Sequence, residues 1–307
     1  MRSIDPRMAP SQTQQMSAPR VVGIGEILWD VFPDGAKFGG APANFAAHCC
    51  ALGAKASMFS AVGKDELGTR ARRELMERGI GIDHVPELIF PTGTVDVQLD
   101  PAGVASYEFA ADCAWDHLEM TDCTLTLAAE ADIVCFGSLG QRSRDSRMAI
   151  QDFVKATPTS ALRIFDVNLR QDFYSAEVIH ESLSVANVLK LNDEEVAVVT
   201  GRTEGTDVER LQNLREKYDL RFVALTRGEN GAAIITAEHV IESRGIPTTV
   251  DDTVGAGDAF TAALSVGLFH GWPMEALIGK ASELAAYVCS QKGATPALPV
   301  DLCEMFV

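Results

Sequence analysis

The chain has 307 residues, 47% of them hydrophobic and 22% charged, which supports a sizeable core and excludes disorder as its general state. A formal net charge of −17 argues against partners recruited by charge alone, such as nucleic acid or an anionic membrane surface; it leaves open anionic ligands held by backbone amides and a metal. Seven cysteines with no Cys-x-x-Cys pair, six scattered histidines, no apolar run of membrane-spanning length and no leader-like segment in residues 1–18 lead to the expectation of a cytoplasmic protein without disulfides or a transition-metal site.

In chain order, residues 1–19 read as a disordered tail and 20–307 as one domain. Short β-rich apolar runs at 20–24, 56–61, 133–137, 162–167, 185–191, 222–226 and 232–236 alternate with amphipathic segments such as 65–78 and 145–156. That alternation predicts an α/β fold, with a mainly parallel central sheet and helices on both faces. One segment breaks the rule. Residues 92–99 and 104–109 read as two strands with no helix between them, joined by Asp100-Pro-Ala-Gly103, which is type I turn chemistry. Such a hairpin is either an edge ornament or a lid over the strand ends.

Two common nucleotide motifs are absent. Gly23 and Gly25 follow the first strand, but Leu28 stands where a dinucleotide fingerprint needs its third glycine. Neither Gly63-Lys64-Asp65 nor Gly279-Lys280-Ala281 completes a P-loop. Two glycine clusters remain. In Gly39-Gly-Ala-Pro-Ala-Asn44 the glycines allow close backbone approach, Pro42 suits a first helical turn, and Asn44 offers donors and an acceptor for hydroxyls; a plain loop-to-helix junction fits equally. In Asp252-Thr-Val-Gly-Ala-Gly-Asp258, small residues at a helix start leave backbone N–H groups open to an anion. Asp258 either complements the helix dipole or accepts the proton of an attacking hydroxyl. Elsewhere, Asn192-x-x-Glu195 reads as a capping box, and Thr226-x-Gly228-x-x-Gly231 as a strand, a tight Asn230-Gly231 turn and a strand. Asn168 and Arg170 follow the strand at 162–167, at the end where α/β sheets bind ligands; Gln141 and Arg142 are a weaker case, and a surface ion pair is the plain alternative for either arginine.

Gly39-Gly-Ala-Pro-Ala-Asn44-x-Ala46 with Gly53 and Gly63, and then Asp252 to Asp258, resemble the two signatures of the ribokinase-like (PfkB) carbohydrate kinases, in family order and more than 200 residues apart. The resemblance runs from about Arg20 to Pro299, and the stretches GEILWDVFPDG, FGGAPANFA, PTGTVDVQLD and CAWD are most similar to bacterial fructokinases. It implies a three-layer sandwich with a small β lid, formed mainly by the hairpin 91–110 plus a short segment near 30–38, and ATP- and Mg²⁺-dependent transfer to a sugar hydroxyl. On this resemblance Asp258 is the base and Gly255, Ala256 and Gly257 form the anion hole. Asp30, Gly40, Asn44, Asn168 and Arg170 contact the sugar, and Asn192, Thr226, Gly228 and Gly231 flank the nucleotide. Glu195 lies near Mg²⁺ without binding it directly, while Asp252 and carbonyls of 290–293 occupy the place of a K⁺ site. The resemblance also implies a homodimer paired through the lid. The rival acceptors are 2-keto-3-deoxygluconate, ribose or a nucleoside, an acid sugar requiring a cation such as Arg170 or Arg142. A non-catalytic sugar sensor is a further rival, against which the intact Asp258 and its glycines argue.

Overall fold

The computed structural model describes residues 17–99, 105–304 and 306; the expected tail lies almost wholly outside them, as does the turn at 100–103. From the N-terminus, β1 (Arg20–Ile24) leads into β2 (Leu28–Phe32) and β3 (Gly35–Gly39), then α1 (Ala41–Ala51) and β4 (Lys55–Phe59). Short β5 (Val62–Gly63), α2 (Glu66–Glu77) and β6 (Glu87–Leu88) precede β7 (Gly93–Leu99) and β8 (Ala105–Phe109). Next come α3 (Asp122–Glu130), β9 (Ile133–Phe136), α4 (Arg144–Ala156), β10 (Leu162–Asp166), α5 (Ala176–Val185) and β11 (Val188–Asn192). The chain continues through α6 (Val196–Thr200), α7 (Asp207–Lys217), β12 (Phe222–Thr226), β13 (Ala232–Ile235) and β14 (Val240–Ser243). It closes with α8 (Ala256–Phe269), α9 (Met274–Cys289) and α10 (Val300–Glu304).

The central sheet has the order β14-β13-β12-β11-β10-β9-β1-β4, parallel from β12 to β4 and antiparallel only at β13 and β14. Its inner strands are buried nearly end to end, as strands covered on both faces must be. Alternate residues serve opposite faces. Val21 and Ile164 pack with α1, α8 and α9 through Phe45, Phe260 and Leu277, while Val22 and Phe165 pack with α4, α5 and α7 through Phe153, Leu183 and Leu211. The expected α/β architecture is therefore present. No helix among the described residues is long and apolar enough to cross a membrane.

The expected strand at 185–191 begins late, because α5 runs to Val185. Asn187 makes the break: its side chain donates to Ala161 O and accepts from Arg163 N, locking the start of β11 onto β10. The tight Asn230-Gly231 turn is instead a 3₁₀ turn over Gly228–Asn230, with positive φ at both Gly228 and Gly231. The edge strand β14 escaped the sequence reading because it is half exposed and short.

A second sheet, β3-β2-β7-β8, stands off the first. Its strands come equally from two hairpins, so the segment near 30–38 contributes as much as the later one, joined to it by parallel pairing of β2 with β7. Buried Trp29 anchors it, meeting Phe38 edge-on and donating Nε1–H to Leu67 O. Phe109 of β8 meets Phe173 edge-on, which ties this sheet to the loop after β10.

Candidate active site

Two helices of the same layer begin on glycine. α8 starts at Gly255, whose φ of 81° suits glycine; a Cβ there would lie 2.1 Å from Ala294 O. No side chain caps this helix: among the described residues the N–H groups of Gly255 and Gly257 have no hydrogen-bond partner and remain open to an anion, and Ala256 N makes only a long 3.4 Å bond to Thr253 O. α1 starts at Gly40, with φ 115° and a would-be Cβ 2.5 Å from Glu26 O, again without a side-chain cap. Both starts sit beyond the carboxyl ends of the parallel strands, the usual ligand crevice of such sheets.

The two helices meet through their side chains. Asn44, buried on α1, donates Nδ2–H to Asp258 Oδ2 at 2.9 Å. Behind Asp258 lies a buried ion pair that the sequence reading missed: Lys190 Nζ donates to Asp166 Oδ1 at 3.0 Å, and Thr261 Oγ1 to Asp166 Oδ2 at 3.1 Å. Burial and the charge of Asp166 push the Asp258 carboxyl up to about 6, against the opposing Asn44 hydrogen bond and the Lys190 and Arg170 charges. Burial alone would lower Lys190, but Asp166, Glu195 and Asp258 outweigh it and hold the ammonium above its usual range. This cation lies directly under the open helix start, since a Cβ at Gly257 would sit 3.0 Å from Lys190 Nζ. The available signal was a lysine in a strand otherwise reading as buried on both faces.

On the β1 side, Asp30 projects from β2 beside Gly39, and burial raises its carboxyl pKa, opposed by Arg170 and Lys37. Asn168 takes a positive φ of 45°, and its carbonyl accepts from Ser138 Oγ. Arg170 is exposed, and its charge acts on Glu26, Asp30 and Asp258 together. Glu26, also missed, is 3% exposed, and its Oε2 has no hydrogen-bond partner; burial pushes its carboxyl up to about 7. Arg142 is committed elsewhere: it grips Asp116 through both Nε and Nη2, at 2.8 and 2.6 Å, and lies over Trp115. Gln141 is also withdrawn, bonded to Ser182 and Gln151 in a buried network.

Thr226, Gly228 and Gly231 sit at the end of β12, four strands across from β1. At ordinary strand spacing that is about 19 Å, the span of an elongated ligand. Between them, Asn192 and Glu195 exchange the two capping-box hydrogen bonds, each 2.9 Å, ahead of α6; the other Glu195 oxygen accepts from Leu169 N at 2.9 Å. Asp252 accepts from Val254 N at 3.0 Å and Gly293 N at 3.2 Å, bridging the turn before α8 and the loop after α9. No group of three His, Cys, Asp or Glu that could hold a metal ion occurs among the described residues. A cavity of about 680 Å³ around Gly201–Gly205 and Arg210 lies by the α6–α7 turn and includes none of these groups.

Comparison with known proteins agrees with this geometry. The pattern of the pfkB family carbohydrate kinases matches residues 34–301. The uncharacterised sugar kinase PH1459 of Pyrococcus horikoshii is 34% identical over 266 residues, 83% of this chain and 81% of that protein, and its crystal structure superposes with a TM-score of 0.80. A fructokinase of Escherichia coli is 29% identical over 303 residues, covering 92% of this chain and 97% of its own. The fructokinase of Vibrio cholerae O395, solved with fructose, ADP and a calcium ion, is 25% identical with a TM-score of 0.78, covering 94% of this chain and 98% of that one. With its ribokinase-like fold, the chain belongs to the pfkB family of carbohydrate kinases, ATP-binding phosphotransferases that act on a sugar alcohol group.

Proposed function

We propose that the protein is a fructokinase, transferring the γ-phosphoryl group of ATP to a primary hydroxyl of fructose, with Asp258 as the base. The observation that carries this reading is the Asn44–Asp258 contact, which joins the hydroxyl-binding side of the crevice to an uncapped helix start. A carboxyl at about 6 is ionised at neutral pH yet more basic than an ordinary aspartate, which suits removal of a hydroxyl proton as the bond to phosphorus forms. Asp30, Gly40, Asn44, Asn168 and Arg170 orient the sugar. The N–H groups of Gly255, Ala256 and Gly257 receive the phosphoryl oxygens, and the Lys190 cation beneath them adds to the same field. Asn192, Thr226, Gly228 and Gly231 flank the nucleotide along the span from β1 to β12.

The donor set fits magnesium only as an ion held by the phosphates and water, with Glu195 behind that water, since both Glu195 oxygens already accept backbone N–H groups. There it would neutralise charge on the transferring group. Asp252 and the carbonyls of 290–293 suit a K⁺ beside the anion hole, all being oxygen donors on one loop pair. The small sheet β3-β2-β7-β8 acts as the lid that excludes water, and its outer face, where Tyr107 is exposed, pairs two copies. Seven free cysteines support a cytoplasmic setting.

A second reading keeps the chemistry and changes the acceptor. Arg142 is consumed by Asp116, but Arg170 forms no salt bridge among the described residues and could hold the carboxylate of 2-keto-3-deoxygluconate. A coupled assay with ATP and fructose, ribose, 2-keto-3-deoxygluconate or adenosine separates the two. Preferred turnover of fructose supports the first reading, preferred turnover of the acid sugar the second, and no turnover of any acceptor favours a sugar sensor.

A further inference from the structure

α1 carries a second polar residue on the side that bears Asn44. Four residues on, one helical turn away, His48 is 2% exposed among buried Phe45, Ala46, Ala47 and Cys49. A polar ring in that setting costs stability unless it is paired. Its partner is Ala294 O, 3.0 Å from Nε2. A carbonyl only accepts, so Nε2 carries the hydrogen. Burial keeps the ring neutral, lowering its pKa to about 4 against the opposing effect of the Ala294 carbonyl.

The same carbonyl walls the phosphate side. A Cβ at Gly255 would lie 2.1 Å from Ala294 O and 2.7 Å from Ala294 Cα. Ala294 therefore sets how closely the left-handed Gly255 turn, and with it the first N–H groups of α8, can be placed. The loop is held at neighbouring points by Asp252, which accepts from Gly293 N, and by Arg78, whose Nε donates to Thr295 Oγ1 at 3.3 Å. Both of those pins are more exposed than His48. One turn of α1 thus reaches the carboxylate through Asn44 and the anion-hole wall through His48.

We propose that His48 is a positioning residue for phosphoryl transfer, donating to Ala294 O so that the sugar-side helix also sets the geometry of the Gly255 turn. This rests on the reading of residues 255–257 as the phosphoryl site. It extends that reading, because it makes the first helix a shared frame for base and anion hole.

The test compares His48→Phe, which keeps a ring but loses the donor, with His48→Gln, whose amide restores an N–H. Three quantities are measured on the full chain: the dissociation constant for ATP without sugar, kcat and KM with ATP and fructose, and the melting temperature. His48→Phe is expected to fold, to bind ATP several-fold more weakly and to lose about 10- to 100-fold in kcat, the scale of a small misplacement of reacting groups. The KM for fructose should stay within about twofold, and His48→Gln should recover most of both losses. Wild-type ATP affinity and kcat in His48→Phe would overturn the proposal. So would equal losses in both variants that track the melting temperature, which describe a structural pin alone. Because ATP binding is read without sugar, the result does not depend on the acceptor. An Asp258→Asn protein that still turns over would instead overturn the site reading beneath it.

Discussion

Four helices on one face of the central sheet and two on the other start differently. On one face α3, α4, α5 and α7 each begin on a hydroxyl, Thr121, Ser143, Ser175 and Thr206, which accepts from the backbone N–H three residues on. On the other face Asp65 caps α2, but α1 and α8 begin on Gly40 and Gly255 with no side-chain cap. A side-chain cap satisfies a helix start and closes it to ligands, whereas a glycine start leaves the amides free at some cost to stability. Buried polar residues occur on both faces, and those on the capped face, Gln141, Gln151 and Ser182, form a neutral network. Asn44, His48, Lys190 and Asp166 are buried beneath the open starts, and the capped helices rest on apolar clusters of Phe153, Leu183 and Leu211. The capped starts support the fold, and the two glycine starts give up local stability to keep donors available.

The sharpest break in this division is Asp258→Asn. Turnover should fall by about 10²–10⁴, the usual contribution of a positioned base, with the melting temperature close to wild type; unchanged turnover would remove the catalytic reading of the open face. Gly255→Ala comes next. Its Cβ meets Ala294 O and its φ is left-handed, so it should cost about 2 kcal/mol or more in chemical denaturation and weaken ATP binding as well. A neutral outcome would show that the turn tolerates a side chain. The pH dependence of kcat/KM should show an acidic limb near 6, since Asp258 must be ionised to act and gains its proton as pH falls through that value. A limb near 4 would place the base in an ordinary environment.

Glu26→Gln tests the stability side. The folded pKa of Glu26, about 7, lies above its unfolded value of about 4.5, so its protonated form favours folding below the lower value. That contribution is lost as pH rises through 7. Glutamine should therefore stabilise the protein by about 1–3 kcal/mol at pH 8 and hardly at all at pH 4.5, measured by urea unfolding at both. The smallest effect belongs to the capped face. Thr206→Ala should cost about 1 kcal/mol of stability and leave kcat and both KM values alone. A fall in kcat there would dissolve the division between the faces.

Much of this was legible in the residues. Asp65 was read as the start of the 65–78 segment and caps α2, accepting from Gly68 N, and β12 falls where its apolar run placed it. Both glycine clusters open helices, as their small residues and Pro42 required. Less legible were elements whose partners are remote. β2 pairs with β3 along its full length and also with the remote β7, and Arg142 looked available until Asp116 and Trp115 came into contact with it.

The sequence by itself determined the alternation of strands and helices, the open glycine starts and the pairing of two distant signatures, because periodicity, φ preference and motif spacing are local properties. Only the tertiary structure decided that Asn44 meets Asp258 across 214 residues, that Lys190 and Asp166 neutralise one another beneath them, and that Oε2 of Glu26 is buried without a hydrogen-bond partner. Those are matters of burial and mutual charge, and both depend on which groups the folded chain brings within a few ångströms of one another.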